Sequence, residues 1–407
     1  TQEDFAAFLQ ARVDAGELEI PDVARATEQF FTLLKGELHA RMLCGLCARP
    51  QRVDVAAHLD ACVDLAGYAN SKWLAAHPIP GDRTSWGAFE MLDERSNAVQ
   101  HQLVEQAAAD ASASGVKKIV GDLWATGMDE AKANAQGIEP IAPMLKAIDG
   151  LQDKDAIVAY LNQSAAKGQA FLFGFGAEAD FNKPDTNMAY AFQGGLGLPD
   201  KNFYFDADKK NIRDEYVKHI AKVLELSGVA AADAQKQASD IMAFETRLAK
   251  VSKSNEEMSR DVSLYYNPVT LADADKLTPN FSWTKFFESQ GVAPQEKFSL
   301  AVPAFHQEVS KMLGDTDAAA WRAYLRFHTI DGASPYLSDA FANENFNFYA
   351  KTLRGQKEIE PRWKRVLSTI EGQSGEALGQ MYVKVAFSPE AKAKMETLVA
   401  NLGTALK

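Results

Sequence analysis

Residues 193–204 read Gln-Gly-Gly-Leu-Gly-Leu-Pro-Asp-Lys-Asn-Phe-Tyr, three glycines and a Pro-Asp pair set between two aromatic runs. Before them stands Met188-Ala-Tyr-Ala-Phe192, and after them Phe203, Tyr204 and Phe205 lead into a long helical pattern. Glycine reaches positive φ and lets another backbone or ring come close. Proline fixes φ, and Pro-Asp is turn chemistry. The stretch therefore reads as a tight, pre-shaped corner between a strand and a helix. On physical grounds alone it is an ordinary turn with no catalytic group in it.

Working outward, helical periodicity dominates. On the N-terminal side, Ala170-Phe-Leu-Phe-Gly-Phe175 is short, aromatic and strand-like, and 187–193 is its expected hairpin partner. Two helical segments fill 145–166, and one helix is expected over 119–135, ended by Gly137 and Pro140. Ser85 is placed to cap the helix that carries Phe89, Leu92, Val99 and Leu103. On the C-terminal side, apolar residues recur at helical spacing over 211–253 (Tyr216, Ile220, Val223, Leu224; Ile241, Phe244, Leu248, Val251). Shorter helical pieces follow at 281–287 and 321–327, and long ones at 341–353 and 362–385. A last helix opens at Ser388-Pro389, a capping serine with proline at the first helical position. The first 65 residues also read as helices. Phe30, Phe31, Leu34, Leu38 and Met42 hold one face, and Arg49-Pro50 breaks the pattern. The fold class expected is mainly α: a large helical region with a small β-hairpin, preceded by a short helical segment.

Composition bounds the function. The chain has 407 residues, 46% hydrophobic and 24% charged, with a formal net charge of -12. That length suffices for two or three domains. The acidic balance disfavours nonspecific binding to nucleic acid or anionic lipid. No apolar run approaches the roughly 20 residues of a membrane-spanning helix, and Thr1-Gln-Glu-Asp-Phe5 does not read as a signal peptide. The three cysteines, Cys44, Cys47 and Cys62, are an odd count that cannot pair fully within one chain. Cys44 and Cys47 lack a second pair for zinc and a β-α-β setting for redox work, so they read as two small apolar residues on a helix face.

Motifs of known chemistry are missing. The seven histidines (39, 58, 77, 101, 219, 306 and 328) never stand at i, i+4, and His306-Gln-Glu-Val-Ser310 lacks the second histidine of a zincin motif. Gly372-Gln-Ser-Gly375 stops short of a nucleophile elbow. Asp206-Ala-Asp-Lys-Lys-Asn211 begins like a calcium loop but has lysine at its fifth position, and it reads as a solvated turn. No catalytic, cofactor-binding or metal-ligating residue is assigned.

Residues 60–407 resemble the N-terminal region of the neprilysin-like zinc metallopeptidases. The resemblance runs in order through Asp60–Trp73, Pro78–Phe89 and Tyr190, and then through the Gln193–Tyr204 stretch, which is similar to the family's L-G-L-P-x-R-x-Y-Y signature. It continues through Phe244–Ala249, Arg260-Asp261, Tyr266-Asn267, Pro279–Trp283, Trp321–Arg326, Pro361–Arg365 and Gly375–Val383. It implies a mostly helical, bilobal peptidase acting on short peptides, with a helical cap over a zinc lobe. The family's zinc ligands lie C-terminal to the matched region, so none is carried over to this chain. Asn70 stands where disulfide-bearing members have the partner of the cysteine that Cys62 matches. In some members an arginine near the stretch matched by Ser85–Asp93 holds a peptide's C-terminal carboxylate. Here Ser85 and Asp93 occupy the matching positions, with Arg83 and Arg95 only nearby, and the role is not carried over.

Residues 1–65 resemble the C-terminal, effector-binding and dimerising helices of TetR-type repressors. The residues that carry this are Phe8–Leu18, Gln29–Leu38 and His58–Asp64. The DNA-reading head of that family is missing, so no nucleic-acid partner is expected. The expected organisation is a repressor-like segment over 1–62 and a peptidase N-terminal (cap) domain over 63–407. The expected function is the non-catalytic N-terminal portion of a zinc-dependent metalloendopeptidase, inactive alone, with zinc only in the full-length family. Its partners would be short peptides, a C-terminal catalytic region and a second copy paired through 1–62. The alternative is a non-enzymatic interaction protein with a dimerisation segment and a peptide-binding helical domain. The two resemblances point to different compartments, extracytoplasmic for the peptidase and cytoplasmic for the repressor, and no location is assigned.

Overall fold

The computed structural model describes residues 10, 14, 63–293 and 296–406. The helices expected over the first 65 residues, and all three cysteines, fall outside the described residues apart from Gln10 and Asp14, both helical, and the stretch from Val63 onward. The chain divides into two compact units: Asp129–Ile359, and Thr1–Met128 together with Glu360–Lys407.

In the 129–359 unit the corner at 193–204 joins a sheet to a helical bundle. The sheet has strand order β1-β2-β4-β3, with β1 Phe173–Asp180, β2 Lys183–Gln193, β3 Pro268–Val269 and β4 Phe298–Leu300. β1 and β2 form the expected antiparallel hairpin, from Phe173 opposite Gln193 to Ala179 opposite Asn187. β1 starts at Phe173 and not at Ala170, because Gly168 at φ +83 and the following residues form a turn first. β4 runs parallel to β2, with Tyr190 opposite Ser299, and antiparallel to β3. The hairpin is thus part of a four-stranded sheet. The two added strands have two and three residues, too short to show alternation in sequence.

Two apolar cores lie in this unit. One gathers aromatic side chains from the sheet and the short helix Trp283–Ser289: Phe173, Phe281, Trp283, Phe286, Phe298 and Phe305. Phe173 meets Trp283 at 5.1 Å and Phe286 at 5.3 Å between ring centroids, in tilted and edge-on geometries that suit the ring quadrupoles. The other core packs helix Lys210–Leu226 against Ala231–Val251 and Ala318–Ala333 through Tyr216, Ile220, Leu224, Ile241, Phe327 and Phe348. Of these, Tyr216, Ile220, Leu224 and Ile241 are marked by the helical spacing over 211–253, and each large apolar side chain taken out of water contributes about 1.5–3 kcal/mol. The helix starts are set locally. The Asp153, Thr270, Ser282 and Asp317 side chains each accept a first-turn backbone N–H, and Ser254 with Glu257 forms a reciprocal capping box.

The flanking unit packs helices Ala88–Ala109, Gly115–Met128 and Arg362–Ala386 around Val104, Val120, Trp124, Leu367, Ile370 and Leu378. Ser388 caps the last helix, Pro389–Ala405, as its sequence indicates. That helix buries no side chain, and Met395, Leu398, Val399 and Leu402 form a half-exposed apolar stripe.

Three local expectations are corrected. Ser85 does not cap helix 88–109: Gly87 is the cap residue, and Ser85 Oγ donates to Glu90 at 2.6 Å. The helix expected over 119–135 is two, Gly115–Met128 and Glu130–Gln136, because Asp129 leaves helical geometry and its carboxylate accepts from Lys132 N to start the second. The pattern over 341–353 is an α-helix, Asp339–Asn345, that widens into a π-helix, Phe346–Thr352.

Candidate functional site

The corner at 193–204 is held from beneath by one buried carboxylate. Glu245 lies on helix 231–251 and is fully enclosed. It accepts from Tyr204 Oη (2.6 Å), Tyr216 Oη (2.9 Å) and Gly197 N (3.2 Å), and its Oε1 lies 2.9 Å from His328 Nε2. Burial, reinforced by the adjacent carboxylate, pushes both tyrosine hydroxyls well above their ordinary pKa, so both remain donors. Leu198 N donates back to Tyr204 Oη at 3.2 Å. At the start of the corner, Gln193 bonds the Lys253 carbonyl (2.7 Å) and its N–H (2.8 Å). Gly195 has φ +78, and its carbonyl lies 2.8 Å from Tyr324 Oη, which also reaches the Phe171 carbonyl at 2.7 Å. The loop is therefore pinned at both ends and from below. Its one carboxylate, Asp200, accepts from Asn202 N (2.8 Å) and Asn255 N (2.6 Å), so it too serves the shape of the loop.

A second polar cluster surrounds His219 on helix 210–226. Its Nε2 is 3.0 Å from Asp331 and its Nδ1 2.9 Å from Glu344, and Tyr349 donates to the other Asp331 oxygen at 2.7 Å. The ring stacks on Phe348 of the π-helix, with centroids 4.9 Å apart. A neutral imidazole has only one N–H. Two carboxylate partners require two, so the ring is an imidazolium. Burial opposes that charge, the hydrogen bonds and charges of Asp331 and Glu344 outweigh it, and the pKa is raised.

The other described histidines are spoken for structurally. His306 is enclosed among Phe173, Trp283 and Phe305, and its Nε2 has no hydrogen-bond partner among the described residues. Burial holds its pKa down at about 4. His77 stacks on Trp73 and His101 on Trp363. His39 and His58 lie outside the described residues. Among the described residues no group of three or more His, Cys, Asp and Glu side chains could hold a metal ion. The zinc that the family resemblance implies has no fitting donor set there, and no hydrolytic step is derived from these residues.

In the flanking unit, Arg83 is enclosed by carboxylates: Asp93 at 2.9 Å, Glu94, and Glu360 at 4.0 Å. Lys364 joins Asp82 at 3.0 Å and Glu94 at 2.6 Å. The matching positions Ser85 and Asp93 are likewise engaged, with Glu90 and with Arg83. Arg83 is thus neutralised within its own unit. The Asp206–Asn211 stretch, expected to be a turn, is a 3-10 helix, Ala207–Lys209, that runs into helix Lys210–Leu226, with an Asp208–Lys209 pair at 2.8 Å.

Neither Glu245–His328 nor His219–Asp331–Glu344 is singled out by sequence motifs. One signal was there to read. Glu245 sits on the apolar stripe of Ile241, Phe244 and Leu248, and a carboxylate on a buried stripe needs partners.

The comparisons with known proteins agree with this architecture. Residues 61–407 match the N-terminal model of peptidase family M13, and residues 1–70 match the C-terminal domain of AefR-like transcriptional repressors. Endothelin-converting enzyme 1 of Mus musculus is 26% identical over 351 residues, covering 82% of this chain and 45% of that protein. Endothelin-converting enzyme-like 1 of Homo sapiens is 25% identical over 373 residues, covering 87% and 48%. The crystal structure of the Mycobacterium tuberculosis zinc metalloprotease Zmp1 in complex with inhibitor superposes with a TM-score of 0.78 at 31% identity, over 86% of this chain and 53% of that one. PepO from Lactobacillus rhamnosis shares the fold, with a TM-score of 0.72 at 21% identity over 81% of this chain and 52% of its own. The chain spans about half the length of the relatives it matches. With the family model matched along 61–407 and the corner at 193–204 built as described, the chain belongs to peptidase family M13.

Proposed function

We propose that this chain acts as the non-catalytic N-terminal portion of a zinc-dependent metalloendopeptidase that takes short peptides. The observation that carries the reading is the match of 61–407 to the family's N-terminal model, with a common fold over about half of Zmp1. One further feature supports it. Helix Pro389–Ala405 presents a half-exposed stripe of Met395, Leu398, Val399 and Leu402 that the described residues leave open, the kind of surface that another stretch of polypeptide covers. In this reading the cap residues shape and enclose the peptide, and metal, water and general base come from the family's C-terminal half. Residues 1–62 form a separate repressor-like segment through which two copies pair.

The test is cleavage of a short fluorogenic peptide by the 407-residue chain, with added zinc and with a chelator. No chelator-sensitive turnover is expected from the chain alone. Turnover that a chelator abolishes and zinc restores would place a complete metal site in this polypeptide and overturn the reading.

A further inference from the structure

We propose that the cavity beside the Gly195–Leu196 turn is a binding site for a phenol- or indole-bearing ligand, whose O–H or N–H is accepted by His328 Nδ1. The cavity holds about 520 Å³ and lies wholly within the 129–359 unit. Its lining sets the apolar Ile141, Met144, Phe171 and Leu196 beside the polar Gln169, His328, Thr329 and Tyr336. That is the usual make-up of a small-ligand site, an apolar lining with one or a few placed polar atoms.

The polarity of His328 follows from its partner. Glu245 already receives Tyr204 Oη, Tyr216 Oη and Gly197 N, and a carboxylate can only accept. His328 Nε2 therefore carries the hydrogen toward Oε1 at 2.9 Å. In the neutral ring Nδ1 is then a lone pair. Nδ1 has no partner among the described residues, and His328 is not fully buried. The tautomer is fixed by a second group, and the acceptor is left at a cavity.

The walls are preformed. Tyr324 Oη joins the Phe171 and Gly195 carbonyls, so the two lining turns are tied to one hydroxyl on helix 318–333. The His328 ring is held against Tyr324 at 4.4 Å between centroids. A ligand meets a cavity that needs little ordering, with aromatic and aliphatic walls for a flat ring. A wall of this kind discriminates little between toluene and cresol. The lone pair does, because only a ligand with a donor satisfies it.

The site is read from this chain's own side chains and stands apart from the peptidase reading. A phenol or indole can arrive as a free aromatic or as a tyrosine or tryptophan side chain of a peptide, and the experiment separates the two. Calorimetric titration with p-cresol and 3-methylindole should give saturable binding, and toluene should bind about fivefold or more weaker, the worth of one hydrogen bond. Imidazole 15N spectra of the wild-type protein should show the His328 Nδ1 signal moving with p-cresol and staying with toluene. His328→Phe should remove the preference for p-cresol. Gly332→Phe is a second variant that keeps the test independent of His328. Gly332 lines the cavity and an added Cβ meets nothing within 4 Å, so a large side chain is tolerated by the fold there and should obstruct the cavity and weaken binding. N-acetyl-tyrosinamide binding as well as p-cresol assigns the site to peptide side chains. Binding of p-cresol alone assigns it to free aromatics, and weakens the peptide reading while the site stands. Equal affinity for toluene and p-cresol, no saturable binding, or an unmoved Nδ1 signal overturns the proposal.

Discussion

Replacing Gly197 by alanine should cost far more than one methyl group suggests. An added Cβ would lie inside van der Waals contact of Tyr216 Oη and 2.6 Å from its Cζ. Something must move. The loop resists, since Gly195 carries φ +78 under the Tyr324 bond and Gly197 N is bonded to Glu245. Tyr216 resists as well, being fully buried against Phe348 at 5.2 Å and Phe327 at 6.1 Å. Overpacking of a filled core costs about 1–3 kcal/mol. Pulling Tyr216 Oη away from Glu245 forfeits a hydrogen bond to a charged group, about 1.5–3 kcal/mol. The sum is roughly 4 kcal/mol, which in a unit of this size lowers the melting temperature by about 8–16 °C. The assay is thermal and urea unfolding of the wild type, Gly197→Ala, Tyr216→Phe and the double variant. Tyr216→Phe removes the oxygen that the Cβ would strike, so the double variant should be milder than the sum of the singles by about 1 kcal/mol or more. A Gly197→Ala protein within about 1 kcal/mol of wild type, or strictly additive effects, would refute the view that close approach of Tyr216 fixes this glycine.

His306 should make the 129–359 unit lose stability on acidification. Its folded pKa of about 4 lies below the ordinary value of 6.5, so the unfolded chain binds the extra proton as pH falls from 6.5 toward 4. The loss approaches about 3 kcal/mol at the acid end, and urea unfolding of the wild type against His306→Phe over that range should show it as a slope that the variant lacks. His219 acts in the opposite direction. Its folded pKa is raised, so its contribution is complete below 6.5 and disappears as pH climbs through the folded value. Unfolding at pH 6 and pH 9 should therefore show an alkaline loss that His219→Phe abolishes, and identical pH slopes in both proteins would rule out the imidazolium. Light scattering of the full chain and of residues 63–407 should give a dimer and a monomer respectively, and equal masses would remove the pairing role from residues 1–62.

The extent to which the sequence could be read follows from the range of the interactions. Helix 389–405 announces itself by Ser388 and Pro389, and the helical character of 211–253 by its spacing, though not its division into 210–226 and 231–251, because caps and amphipathic faces act within a few residues. β3 and β4 had no such signal. Pro268-Val269 and Phe298-Ser-Leu300 become strands only because β2 and the hydroxyl of Ser299, bonded to Asn267 N at 2.9 Å, hold them in place. The break at Asp129 shows the converse. Local apolar spacing continued across it, and a single carboxylate bonded to Lys132 N restarted the helix.

The polar clusters were the least legible, since their members come from widely separated segments. His328 and Glu245 are 83 residues apart, and His219 and Glu344 are 125. Within the corner itself, composition alone could not separate the reasons for its glycines. Gly195 is there for a left-handed backbone, whereas Gly197 takes no such conformation and yields its side-chain space to Tyr216. The two demands meet at Glu245, which bonds Gly197 N and Tyr216 Oη together. A carboxylate on a helix fixes the shape of the strand-to-helix corner, and the same carboxylate fixes the tautomer of His328 at the neighbouring cavity. The loop and the neighbouring cavity are thus two faces of one buried network, so a substitution at Glu245 should disturb both together.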